Sequence, residues 1–176
     1  VTTILDMLSK PGLNDWRVEQ AIKATLKLPS LIYGEPAEET VARAKSDAER
    51  YVTWASDFGT DVHAGIAAGF SSEIYWYKVL GAKEIVEGFW PWYHSQGFVC
   101  ELAEHTFVNK ELGYASTIDW LGTWHDEPAI IDFKTQDFLE PKKALFHEPE
   151  FPLQLAGYDL GYPPMHDRRA RLSVVI

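Results

Sequence analysis

Residues 115–135, ASTIDWLGTWHDEPAIIDFKT, constrain the fold more than any other stretch of the chain. Two runs rich in β-branched and aromatic residues, Ala115–Trp124 and Ala129–Thr135, flank a polar break at His125-Asp126-Glu127-Pro128. Such runs meeting at a proline-marked break read as a β-hairpin. A hairpin centred between His125 and Asp126 places Asp119 opposite Asp132. Residues two apart on a strand share a face, so Lys134 lies beside Asp132 while Ile131 and Phe133 face the other way. Like charges directly opposite each other destabilise a sheet, and burying them without partners is costly. A divalent cation between the carboxylates removes that objection. The alternative is an exposed hairpin with scattered charges, against which Ile130-Ile131 reads as interior.

A chain of 176 residues is one domain by length, large enough for a sizeable core. The reading is a single domain over 1–176, with 1–96 mostly helical and 97–176 carrying the catalytic sheet and its following helix. No apolar run approaches the roughly 20 residues of a membrane span, and no signal-peptide pattern opens the sequence. The single cysteine, Cys100, excludes an internal disulfide framework and a four-cysteine zinc or iron–sulfur site. A reducing, cytoplasmic setting with no membrane partner is the expectation. The net charge of −10 argues against a broad nonspecific nucleic-acid surface. It leaves room for a local basic groove around an acidic metal centre. Lys142-Lys143 and Arg168-Arg169-Ala170-Arg171 are the basic clusters, and each alone reads as solvated surface.

In chain order, Asn14 or Asp15 is placed to cap a helix running to about Leu28, before Pro29. Ala37–Phe58 has helical spacing, Gly59-Thr60 interrupts it, and Thr60 is placed to cap a further helix with His63 in its first turn. Two more helices are expected over Ser72–Leu80 and Ala82–Gln96, the second interrupted by Pro91. Trp76, Phe89, Trp90 and Trp92 in this region read first as packing residues and second as stacking platforms for unpaired bases. Phe98–Val108 reads as a strand, Pro141–Pro152 as loop or broken helix. A helix over Leu153–Leu160 puts Gln154 and Tyr158 on one face, four residues apart, and Pro163-Pro164 end it. Ala170–Ile176 reads as a buried strand. A chain that starts apolar and ends inside such a strand is expected to extend further in its natural form. Helices, three strands, a helix and a strand make an α+β or mixed α/β fold with a mostly antiparallel sheet.

Asp119 and Asp132 offer two carboxylates, and the backbone carbonyl of Phe133 could supply a third oxygen. Oxygen ligands suit Mg²⁺ and Mn²⁺, and a histidine tilts the choice toward Mn²⁺. Lys134 points into the same space, where it can hold an attacking water and stabilise charge building on a phosphate. An Asp…Asp-x-Lys constellation of this kind fits phosphodiester hydrolysis.

With those residues in place, the sequence resembles the PD-(D/E)XK nuclease superfamily, in particular its RecB-like exonuclease branch. Four stretches agree in order. Gly59-Thr60-Asp61-Val62-His63 resembles the branch's helical histidine motif, and Gly113–Asp119 (GYASTID) its first acidic strand. Ile131-Asp132-Phe133-Lys134-Thr135 resembles the D-x-K strand, and Gln154-Leu155-Ala156-Gly157-Tyr158 the Q-x-x-x-Y helix. The pattern is also similar to mitochondrial genome maintenance exonucleases and related phage exonucleases. The resemblance implies a restriction-endonuclease-like αβββαβ core with N-terminal helices and a bacterial or phage origin. It implies His63, Asp119 and Asp132 as metal ligands and Lys134 as the catalytic lysine. Gln154 and Tyr158 would position DNA or that lysine. Glu101 matches an acidic residue often found on the first strand, with Glu104 competing for the role. Ser116 stands where a glycine is common, and the iron–sulfur cysteines and a phosphate loop are absent.

The expected function is a Mg²⁺- or Mn²⁺-dependent exonuclease acting on single-stranded or frayed linear DNA, with a recombination or replication protein as partner. The alternative keeps the fold as a catalytically silent nucleic-acid-binding or scaffolding module. A restriction-type endonuclease would need a recognition element, and the sequence offers no spare domain for one.

Overall fold

The computed structural model describes residues 11–27, 36–136, 150–162 and 170–176. The chain falls into two compact units, one ending at Phe58 and the other beginning at Gly59. In the smaller unit, helix α1 spans Pro11–Lys27. It begins at a proline, whose missing N–H is one that a helix start leaves unbonded anyway. Asn14 and Asp15 therefore lie inside the helix and do not cap it. The rings of Trp16, Tyr51, Trp54 and Phe58 follow one another at centroid distances of 6.0, 5.5 and 5.4 Å.

Helix α2, Ala37–Phe70, runs for 34 residues without the expected break at Gly59-Thr60. A glycine inside a helix costs about 1 kcal/mol relative to alanine, too little to stop a helix anchored by buried Val62 and Ile66. The glycine serves packing instead. A Cβ at position 59 would lie 2.9 Å from Thr135 Oγ1.

The larger unit continues with α3 (Ala82–Ser95), β1 (Phe98–Asn109), β2 (Tyr114–Trp124), β3 (Glu127–Lys134), α4 (Glu150–Gly161) and β4 (Ala170–Val175). The sheet order is β1-β2-β3-β4, with the first three strands antiparallel and β4 parallel to β3. This is the mixed, mostly antiparallel sheet, and the order α-β-β-β-α-β, that the sequence led to expect. Trp124 pairs with Glu127, leaving a two-residue turn with His125 at φ 49° and Asp126 at φ 66°. Two successive positive φ values are those of a type I′ turn, whose twist suits a hairpin.

Strand β3 is buried on both faces, with Ile130, Ile131 and Asp132 fully inaccessible, so the exposed-hairpin alternative fails. On one side Phe89 of α3 meets Phe133 edge-on at 5.4 Å, and Trp120 Nε1 donates to the Tyr93 hydroxyl at 3.2 Å. On the other, Leu155 and Tyr158 of α4 join Phe107, Ile118, Leu121 and Ile130 in one apolar cluster. The anchoring of Phe89 and Tyr93 also explains why Pro91 does not interrupt α3. Proline forfeits one backbone hydrogen bond there, and the buried rings on either side of it outweigh that loss.

Residues 72–80 form no helix. The Asp61 carboxylate captures the Lys78 and Val79 amides at 2.7 and 2.8 Å and the Tyr75 hydroxyl at 2.7 Å, which holds the segment extended. Strand β4 is only half-buried, not fully buried as expected. Its pairing runs on through Ile176, whose N–H donates to Lys134 O at 2.8 Å. Helix α4 starts at Glu150, two residues before Pro152. The expectations on Val1-Thr2-Thr3-Ile4-Leu5, Lys142-Lys143, Pro163-Pro164 and Arg168-Arg169 lie outside the described residues. No helix among the described residues is long and apolar enough to cross a membrane.

Candidate metal centre

Three neighbouring strands each contribute one acid to a single row. Trp120 and Ile131 form the last pair of the β2–β3 ladder, and the next positions are Asp119 and Asp132. The sequence reading of that register holds. Asp119 there takes over from the ladder, its Oδ2 accepting the Phe133 N–H at 2.8 Å. On β1 the register shifts between Cys100 and Leu102, so that Glu101 is an extra residue in a β-bulge. Beyond it Ala103 pairs with Trp120 and His105 with Ile118, which puts Glu104 opposite Asp119. Without the bulge Glu104 would face Ile118. Glu104 also has φ 47°, a left-handed conformation that a non-glycine residue holds only when its surroundings impose it.

Helix α2 brings His63 to this row. Its Nδ1 lies 3.5 Å from Asp119 Oδ2 and 3.9 Å from Glu104 Oε1. One donor atom from each of His63, Glu104 and Asp119 lies within 4.8 Å of the other two. Glu101, favoured over Glu104 from sequence, is the extra residue of the bulge and lies outside this group. The Phe133 carbonyl accepts a hydrogen bond from the His63 ring, which leaves it one lone pair.

Asp132 stands beside the trio and is held from the other side. Lys134 Nζ forms an ion pair with Asp132 Oδ2 at 2.7 Å. Oδ2 is buried, and that ammonium is the partner it faces. The Tyr158 hydroxyl donates to Asp132 Oδ1 at a long 3.5 Å. Lys134 Nζ donates to Gln154 Oε1 at 3.0 Å and sits 5.2 Å from the centroid of the Phe151 ring. Gln154 Nε2 in turn donates to the Tyr158 oxygen, and Ser116 bonds the same hydroxyl. Gln154 and Tyr158 therefore share a face of α4 directed at Lys134 and Asp132, as their spacing foretold.

The electrostatics are those of negative charge that Lys134 compensates only in part. Burial pushes both Asp119 and Asp132 up to about 6, against the opposing pull of the Lys134 charge on each. Partial burial of Glu104, whose side chain stays 40% exposed, and then the neighbouring Asp119 push its carboxyl up to about 7. Burial and the Lys134 charge hold His63 below its ordinary value. A divalent cation would reverse the shift of the three carboxyls, favouring their ionised forms, and would reinforce that of His63 toward the neutral imidazole. Carboxylate oxygens with one imidazole nitrogen suit Mn²⁺ or Mg²⁺, and Asp132 Oδ2, paired with Lys134, is a further oxygen beside them.

Sequence reasoning assigned no role to Asp61, which lies within the Gly59–His63 motif. It is buried and accepts three hydrogen bonds, and these outweigh the effect of burial and hold its carboxyl below the usual range. Its work is to fasten residues 72–80. A carboxylate two residues from a candidate ligand on the same helix was the one available hint. No protein-family model matches the chain, and no curated protein is significantly similar to it, so the geometry and the residue chemistry alone carry the functional reading.

Proposed function

We propose that the chain is a Mg²⁺- or Mn²⁺-dependent DNA exonuclease of the PD-(D/E)XK type, acting on single-stranded or frayed linear DNA. The observation that carries this reading is the row Glu104–Asp119–Asp132 across three strands, flanked by His63 and Lys134. His63, Glu104 and Asp119 would hold the cation, with Asp132 Oδ2 within the same row. A bound cation supplies a lowered water pKa and neutralises charge on the scissile phosphate. Lys134 is held by Asp132, Gln154 and the face of Phe151, so its ammonium is pre-positioned to orient a water and to stabilise charge growing on a phosphate oxygen. Tyr158 braces both Asp132 and Gln154. A silent binding module would need none of this fastening around one lysine.

The test is degradation of oligonucleotides labelled separately at their 5′ and 3′ ends, with Mn²⁺ and with excess EDTA, beside a supercoiled plasmid. Stepwise loss of label from linear strands in Mn²⁺, with the plasmid intact, is the expected result. Undiminished cleavage in EDTA would remove the metal from the reading. A nicked plasmid would make the chain an endonuclease, and a mobility shift without cleavage would make it a binding module.

A further inference from the structure

Residues 71–81 join α2 to α3 as an extended strap whose exposure alternates along the chain. Ile74, Trp76 and Leu80 are 84%, 81% and 91% exposed, and Lys78 is exposed with them. The residues between, Tyr75, Tyr77 and Val79, are turned inward. A period of two is that of β backbone, yet these residues belong to no sheet. The inward residues fasten the strap. Asp61 takes the Tyr75 hydroxyl and the Lys78 and Val79 amides, and the Tyr77 ring closes over Gly65, where a Cβ would lie 2.6 Å from its Cε1. Exposure of the Trp76 ring is therefore built in. A loose loop would fold so large an apolar ring against the surface.

We propose that this strap is the single-strand binding subsite of the candidate nuclease, with Trp76 stacking on an unpaired base and Lys78 meeting a phosphate; the proposal rests on the nuclease reading. Two observations favour a nucleic acid over a protein partner. Lys78 puts a cation in the middle of the apolar stripe. A protein-docking stripe depletes charge from its centre, lysine included, whereas a base-stacking platform works with a cation beside the ring. Two extended residues also span about 6.6 Å, a reach comparable to that between a stacked base and its own phosphate. The strap is tied through Asp61 to the helix that carries His63, on a different side of that helix from the imidazole.

The experiment is fluorescence anisotropy of a labelled oligothymidylate in EDTA, using the wild type, Trp76→Ala, Trp76→Phe and Lys78→Ala, with Mn²⁺ cleavage measured on the same proteins. Trp76→Ala should weaken binding about tenfold, and Trp76→Phe should recover most of the loss. Lys78→Ala should weaken binding and flatten its salt dependence. Melting curves should be unchanged, since all three substitutions are at exposed positions. A Trp76→Ala protein that binds as the wild type does, while the wild type cleaves in Mn²⁺, overturns the strap proposal and leaves the nuclease reading standing. Binding through Trp76 without cleavage under any condition overturns the nuclease reading and leaves the strap as a nucleic-acid site. A wild type that neither binds the oligonucleotide nor cleaves it in Mn²⁺ overturns both. If the wild type self-associates and Trp76→Ala is monomeric with unchanged DNA affinity, the strap is a self-docking surface and the proposal is wrong.

Discussion

Replacing Asp132 by asparagine removes one charge from the acidic row at nearly constant shape, and the structure sets the size of the effect. The carboxylate is fully buried, and its pKa rises from 3.8 to about 6 with the Lys134 attraction already included. At about 1.4 kcal/mol per pH unit, the ionised group costs the folded state about 3 kcal/mol relative to the unfolded chain. An asparagine Oδ1 can face the Lys134 ammonium while its Nδ2 reaches the Tyr158 oxygen. Burying the amide with imperfect hydrogen bonds costs about 1 kcal/mol, so a net gain of about 1–2 kcal/mol remains. At roughly 2–4 °C per kcal/mol, the metal-free variant should melt about 2–8 °C above the metal-free wild type. The pH dependence follows from the direction of the shift. The folded-state pKa lies above the unfolded value, so the cost of the charge is complete above about 6 and vanishes below 3.8, where both states are protonated. The variant's advantage should be full at about pH 7.5 and mostly gone by about pH 4.5. The measurement is a set of melting curves of both proteins in EDTA across that range, plus one cleavage assay, in which activity should be lost. A variant that melts lower than the wild type by the same margin at every pH would show that Asp132 is a structural acceptor and refute the argument.

Glu104→Gln should abolish the rise in melting temperature that Mn²⁺ produces by mass action, whereas Glu101→Gln should keep it; the reverse pattern would return the ligand role to the bulge residue. Gln154→Ala should cut the cleavage rate by about 10- to 100-fold by releasing Lys134. Because Gln154 is buried and bonded to both Lys134 and Tyr158, it should also cost about 1–2 kcal/mol of stability. Unchanged rates on several oligonucleotides would reduce Gln154 to a packing residue.

What the sequence by itself determined is local and periodic. The pairing of Asp119 with Asp132 followed from a turn of known position, because strand register is set at the hairpin. The shared face of Asp132 and Lys134 followed from a period of two, and that of Gln154 and Tyr158 from four residues of helix. The tertiary structure decided everything that depends on contacts distant in sequence. The bulge at Glu101 selects Glu104 for the acidic row, and nothing in FVCELAEHTFV marks which residue will be the extra one, since either register keeps apolar groups on a buried face. Gly59 reads as a helix break until Thr135 is packed against it, and Pro91 until Phe89 and Tyr93 are buried beside it. Residues 72–80 read as helix until Asp61, more than ten residues upstream, captures their amides. In each case a local preference worth about 1–3 kcal/mol was set against burial or charge-assisted hydrogen bonds of equal or greater worth, and only the folded chain brings those partners within reach.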